Sequence, residues 1–252
     1  LNTKSKAAPE PREWLGPSDL MDFSDLALSA MARSIATGKK ERERALAAHA
    51  KVRAMPLAFR HQAKPATASA VLRRREGDAV DKATLLVALL RLGDIPARLL
   101  FAEPPAEALR GLPVDVCCGP RPMVEACIEG EWLRTDTFIF DERYVRAAHH
   151  RLHHKHRDAG YGVTLSGAIH WDGTRSVSVL GPDYAGADPD QHRYNDAAEF
   201  ARSLGLFQRV RYLGHWALWT GQRALLSRAL HGLRSRQPAA RPRSGGRSSI
   251  PA

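Results

Sequence analysis

Apolar positions are densest between Gly77 and Arg98, where Leu85, Leu86, Val87, Ala88, Leu89, Leu90 and Leu92 cover nearly the whole circumference of a helix. A surface helix keeps one apolar stripe, so this pattern predicts a buried helix. Asp78 is a favourable N-cap and Asp81 suits the first turn. Gly93 is a good stop, and Pro96 forbids continuation. The N-terminus of a buried helix gathers unpaired N–H groups and positive potential, which is where a fold would set an activated anion such as a thiolate. The residue at that point is Ala79, whose methyl group does no chemistry.

Helical periodicity also marks residues 26–35, introduced by Asp22-Phe23-Ser24-Asp25, then residues 40–53, and a short turn or helix over residues 68–75. Residues 54–68, with Pro56 and Pro65, read as a loop. A buried strand is predicted over residues 98–102. The five prolines and two glycines of residues 103–122 predict a long irregular connection. Residues 123–128 and 131–135 then alternate as two strands around the turn signal Glu129-Gly130. A helix rich in Arg and His is expected over residues 141–158. Short strands follow in residues 161–179 around Trp171-Asp172-Gly173, where Ser176 and Ser178 alternate with Val177 and Val179 as one exposed face. Residues 181–195 read as a loop and residues 196–236 as largely helical. The pattern predicts an α+β fold, a buried helix packed on an antiparallel sheet with flanking helices. The division expected is a flexible segment (1–14), one domain (15–180), a helical extension (181–236) and a disordered Pro/Arg/Ser/Gly tail (237–252).

Composition changes this picture little. A hydrophobic fraction of 44% and a charged fraction of 26% over 252 residues are ordinary for a globular chain. The net charge of +11 raises the question of an anionic partner. Much of it lies late in the chain, where Arg209, Arg211, Arg223, Arg228, Arg234 and Arg236 stand among Trp216, Trp219 and many leucines. That helix either meets an anionic membrane or nucleic acid or packs its Trp/Leu face on the domain with the arginines in solvent. No apolar run reaches the ~20 residues that span a bilayer, and the N-terminus lacks the apolar region of a signal peptide. A cytoplasmic protein is expected. The three cysteines, Cys117, Cys118 and Cys127, make neither a CxxC pair nor a disulfide framework.

The order of elements and motifs resembles the transglutaminase-like superfamily, the papain-related cysteine enzymes. The resemblance rests on Gly77-Asp78-Ala79, then Lys82-Ala83, Leu85-Leu86 and Ala88-Leu89-Leu90-Arg91, then Gly93-Asp94-Ile95-Pro96-Ala97-Arg98. It continues through Arg121-Pro122-Met123-Val124-Glu125 and Gly130-Glu131-Trp132-Leu133-Arg134-Thr135-Asp136. It implies a transglutaminase-like core over residues 15–175 and, in active members, a Cys–His–Asp site. Carried over by position, the nucleophile falls on Ala79, the general base on Arg121 and the orienting carboxylate on Asp136. A methyl group cannot attack, and a guanidinium with a pKa above about 12 is no base near neutrality. The resemblance therefore implies a catalytically inactive member, a pseudoenzyme acting as a binding or scaffold protein for a peptide or protein ligand, with Asp136 free to pair with Arg121. No cofactor is implied.

Two alternatives stay open. A relocated thiol, Cys117 or Cys118, lies just before Arg121, which would lower its pKa and leave a cysteine-dependent amide hydrolase or acyl transferase. His149, His150, His153 and His154 fall at i, i+4 spacing on the predicted helix, weak candidates for a metal site that lacks an evident third ligand.

Overall fold

The computed structural model describes residues 11–58, 65–112, 120–186, 191–205 and Gly232. The predicted central helix is α4 (Ala79–Leu92) once α1 (Leu26–Ala36), α2 (Glu41–Arg53) and α3 (Ala68–Arg74) are counted before it. Asp78 Oδ1 caps it, accepting from the Asp81 amide at 2.9 Å. Gly93 ends it by donating to the Leu89 and Leu90 carbonyls at 3.1 and 2.9 Å. Every residue from Asp81 to Arg91 is buried. The reason is enclosure: α4 packs against α1, α2 and α3 and also against a sheet.

That sheet has the order β1-β2-β3, all antiparallel, with β1 (Ala97–Ala102), β2 (Arg121–Ile128) and β3 (Glu131–Thr135). Glu129 and Gly130 turn the β2–β3 hairpin with φ of 54° and 88°, the double positive φ that matches strand twist in a two-residue loop. All eight residues of β2 are buried. Alternation sends Val124, Ala126 and Ile128 into the main core, and Arg121, Met123, Glu125 and Cys127 to the opposite face. The α+β class expected from the sequence is the class observed.

Three charged residues of the central helix, Asp81, Lys82 and Arg91, are buried with it, which its apolar pattern did not foretell. Lys82 is fully buried, and its Nζ donates to the carbonyls of Met55 and Ile139 at 2.8 and 2.9 Å. It thereby fixes the exit of α2 and the turn after β3 to the first turns of α4. Arg91 donates to the carbonyls of Ala97 and Gly16 at 2.9 and 2.8 Å.

Further along, α5 (Ala106–Leu109) sits inside the connection expected to be irregular. The Arg/His-rich helix is α6 (Glu142–His154), capped by Asp141 and shorter than expected. Residues 161–179 form less regular strand than their composition suggests. They contribute β5 (Val163–Thr164), paired with β4 (Ala159–Gly160), and a bridge from Val177 to Thr135. Ser178 is buried, correcting the exposed face expected for it, because the bridge carries this segment against the end of β3. The expected loop 181–195 includes α7 (Pro182–Ala185), and Tyr194 bridges to Leu99 at the free edge of β1. Of the helix expected over residues 196–236, α8 (Ala197–Ser203) is described. The Arg- and Trp-rich residues expected to continue it, the tail, and most of the N-terminal segment lie outside the described residues. Among the described residues no helix is long and apolar enough to cross a membrane.

Candidate functional site

Ala79 is the first residue of α4 and is half-buried against the core. The turn that delivers it is fixed by backbone bonds. Ala58 donates to the Gly77 carbonyl at 2.9 Å, and Gly77 donates to Pro56 at 3.3 Å. A Cβ on Gly77 would stand 2.6 Å from Asp81 Cβ, so the chain reaches the helix this way only with glycine. A well-built helix N-terminus therefore presents a methyl group.

The register Val124↔Thr135 brings the end of β3 beside the start of β2, and so Asp136 beside Arg121. Arg121 Nε lies 3.5 Å from Asp136 Oδ2, with the side chains 9% and 0% exposed. Asp136 also accepts from Ser178 Oγ at 2.9 Å and from the Val179 amide at 2.8 Å. Arg121 Nη1 donates to the Gly162 carbonyl at 3.0 Å, and its guanidinium carbon lies 5.1 Å from the Phe140 ring centre. Gly162 has φ of 80°, and a Cβ there would meet Phe140 Cζ at 2.7 Å. Arg121 Nη2 is shielded from solvent and has no acceptor among the described residues. Nearby, Tyr184 donates to the Ala102 carbonyl at 2.8 Å. Burial pushes its hydroxyl pKa up; the Arg121 charge opposes this, and the Asp136 and Glu103 charges add to it. Chemically, this is a fixed cation–carboxylate pair with one spare N–H donor. The Arg121 guanidinium is no base near neutrality.

Next to it on the same face of β2 stands a second buried charge cluster, which sequence reasoning missed. The registers Arg98↔Glu125 and Glu125↔Arg134 place three charges in a row across the sheet. Arg98 Nε donates to Glu125 Oε2 and Arg134 Nε to Oε1, each at 2.6 Å. Arg98 also lies over the Trp132 ring, 3.8 Å from its centre. Charged residues at facing positions of three predicted strands were the available signal. On α2, His49 is buried with Nε2 2.8 Å from Thr137 Oγ1, which is 2.7 Å from Thr135 Oγ1.

The other sequence candidates among the described residues are not drawn together. Cys117 and Cys118 lie outside the described residues. Cys127 is buried on β2, and burial, followed by the Glu41 charge, pushes its thiol up, the opposite of an activated thiolate. His149 is half-buried, and burial lowers its pKa; His150, His153 and His154 are exposed on α6. Among the described residues no group of three or more His, Cys, Asp or Glu side chains is placed to hold a metal.

Residues 29–137 match the family model of the transglutaminase-like superfamily. Two solved structures are similar. One is a proposed cysteine protease from Cytophaga hutchinsonii, at 20% identity over 51% of this chain and 42% of that one, with a TM-score of 0.41. The other is a proposed protease from Parabacteroides distasonis, at 16% identity over 49% of this chain and 24% of that one, with a TM-score of 0.36. The chain thus spans less than half the length of either. No curated protein sequence matches it.

Proposed function

We propose that this protein, which carries a transglutaminase-like core over residues 29–137, is a pseudoenzyme that binds a peptide or protein ligand without cleaving or transferring it. The observation that carries the reading is the buried Arg121–Asp136 pair. In active members of the superfamily the corresponding carboxylate orients an imidazole, as the resemblance implies. Here it is engaged by a guanidinium, by Ser178 Oγ and by the Val179 amide, while Ala79 leaves the helix N-terminus without a nucleophile. The triad logic needs an attacking group, a base and an orienter, and one of the three is kept.

Binding is the use that remains for such a site. Arg121 Nη2 has no acceptor among the described residues, and it suits an oxygen acceptor, above all a carboxylate. The test is to assay the purified full chain for amide hydrolysis and acyl transfer on peptide substrates, beside its Asp136→Asn variant. No turnover in either is the expected result. Turnover in the wild type that Asp136→Asn abolishes would overturn the reading and favour an enzyme using a relocated thiol, Cys117 or Cys118.

A further inference from the structure

A cleft of about 400 Å³ shares no lining residue with the Arg121 site. Leu46, His49, Arg53, Glu142, His170 and Trp171 line it, and its size lies within the ~300–1,000 Å³ usual for small-molecule sites. One wall is apolar and aromatic. The His49 and Trp171 rings are 5.3 Å apart, tilted at 59°, and Leu46 stands beside them. His49 is held uncharged near neutrality by burial, followed by the nearby Arg53, Lys82 and His170 charges.

The other wall carries one charge of each sign. Arg53 Nη1 is 3.2 Å from His170 Nδ1. Its Nε and Nη2 have no acceptor among the described residues. Those two atoms form the edge of the guanidinium fork that a carboxylate takes with two parallel bonds. Both atoms are shielded from solvent, so a ligand reaches that edge only after a rotamer change of Arg53, the half-buried last residue of α2. Glu142 accepts from Arg146 Nε and Nη2 at 2.8 and 2.5 Å, and both bonds fall on Oε1. Its Oε2 takes neither of them. An ordinary anion would meet Glu142, and an ordinary cation would meet Arg53.

We infer that this cleft binds a small amphoteric molecule, a free α-amino acid with an aromatic or large aliphatic side chain. The carboxylate lies on the Nε/Nη2 edge of Arg53, the ammonium faces Glu142 Oε2, and the side chain rests on Leu46 and Trp171. The inference is independent of the Arg121 reading.

Isothermal titration calorimetry of the full chain with L-phenylalanine, hydrocinnamate and phenethylamine tests it. Saturable binding of L-phenylalanine is expected, weakened by about tenfold or more in hydrocinnamate and phenethylamine, each of which lacks one charge. Arg53→Gln is expected to abolish it, and Arg53→Lys, which keeps the charge and loses the fork, to weaken it. Titration of the 15N-labelled wild type is expected to move the Trp171 indole N–H resonance, a readout that needs no variant. Absence of saturable L-phenylalanine binding, an unmoved Trp171 resonance, or equal affinity in folded Arg53→Gln overturns the inference. Equal affinity for hydrocinnamate overturns the role given to Glu142.

Discussion

Arg121 Nε stands 3.5 Å from Asp136 Oδ2 in a setting where the two side chains are 9% and 0% exposed. An ion pair so buried repays its desolvation only while both members are present. Asp136 is held three ways, by Arg121, Ser178 and Val179, and so acts as a structural tie between β2, the end of β3 and the Val177–Val179 segment.

The first prediction follows from that tie. Asp136→Asn and Arg121→Met are each expected to destabilise the fold by roughly 3–5 kcal/mol. The double variant should lose less than the sum, with a coupling of about 0.5–3 kcal/mol. Urea unfolding of the four proteins checks this, and strict additivity would show that the pair is not coupled.

The Arg98–Glu125–Arg134 row gives a second. Burial pushes the Glu125 carboxyl up, but hydrogen bonds and charge from Arg134 and Arg98 outweigh it and hold the pKa below 4.5. A carboxylate held low in the folded state adds stability at pH above its ordinary value and loses it as pH falls through the folded value. Glu125→Gln should therefore cost roughly 3–5 kcal/mol at neutral pH, and should remove part of the loss below pH 4.5. Melting temperatures of both proteins from pH 7 to pH 3 measure it.

His49 sets a separate pH dependence. Burial, followed by the charges of Arg53, Lys82 and His170, pushes its imidazole from 6.5 down to about 3. The unfolded chain takes up a proton below pH 6.5 that the folded protein refuses until about pH 3. Stability is full above that window and falls within it, by roughly 1.4 kcal/mol per pH unit at the steepest. His49→Gln should flatten this slope. A difference between the two proteins that is constant from pH 7 to pH 4 would contradict the assignment.

Lys82 carries the fourth. Lys82→Met leaves the Met55 and Ile139 carbonyls without the donor that reaches them at 2.8 and 2.9 Å. Each buried orphan costs about 1–3 kcal/mol. The expected loss of roughly 2–6 kcal/mol should appear in urea unfolding, with amide exchange accelerated first at the end of α2.

These residues also mark what was legible in the chain. The central helix could be read because its signals are local: the cap at Asp78, the stop at Gly93 and the apolar run between them. The β2–β3 hairpin could be read from Glu129-Gly130 and the alternation on either side. Arg121 and Asp136 could be named from motif position, but their pairing depends on strand register, and one residue of slip would part them. The burial of Lys82 was not legible, because its acceptors lie 27 and 57 residues away. Ser178 was misread for the same reason, its partner Asp136 being 42 residues distant.

Cysteine reactivity reports whether the site holds a thiolate poised for attack. Alkylation rates of Cys117, Cys118 and Cys127 in the native protein at neutral pH, resolved by mass spectrometry, should all be at or below those of the unfolded chain. One cysteine that reacts far faster when folded, and is protected by a covalent cysteine-protease inhibitor, would mark an activated nucleophile and an active enzyme.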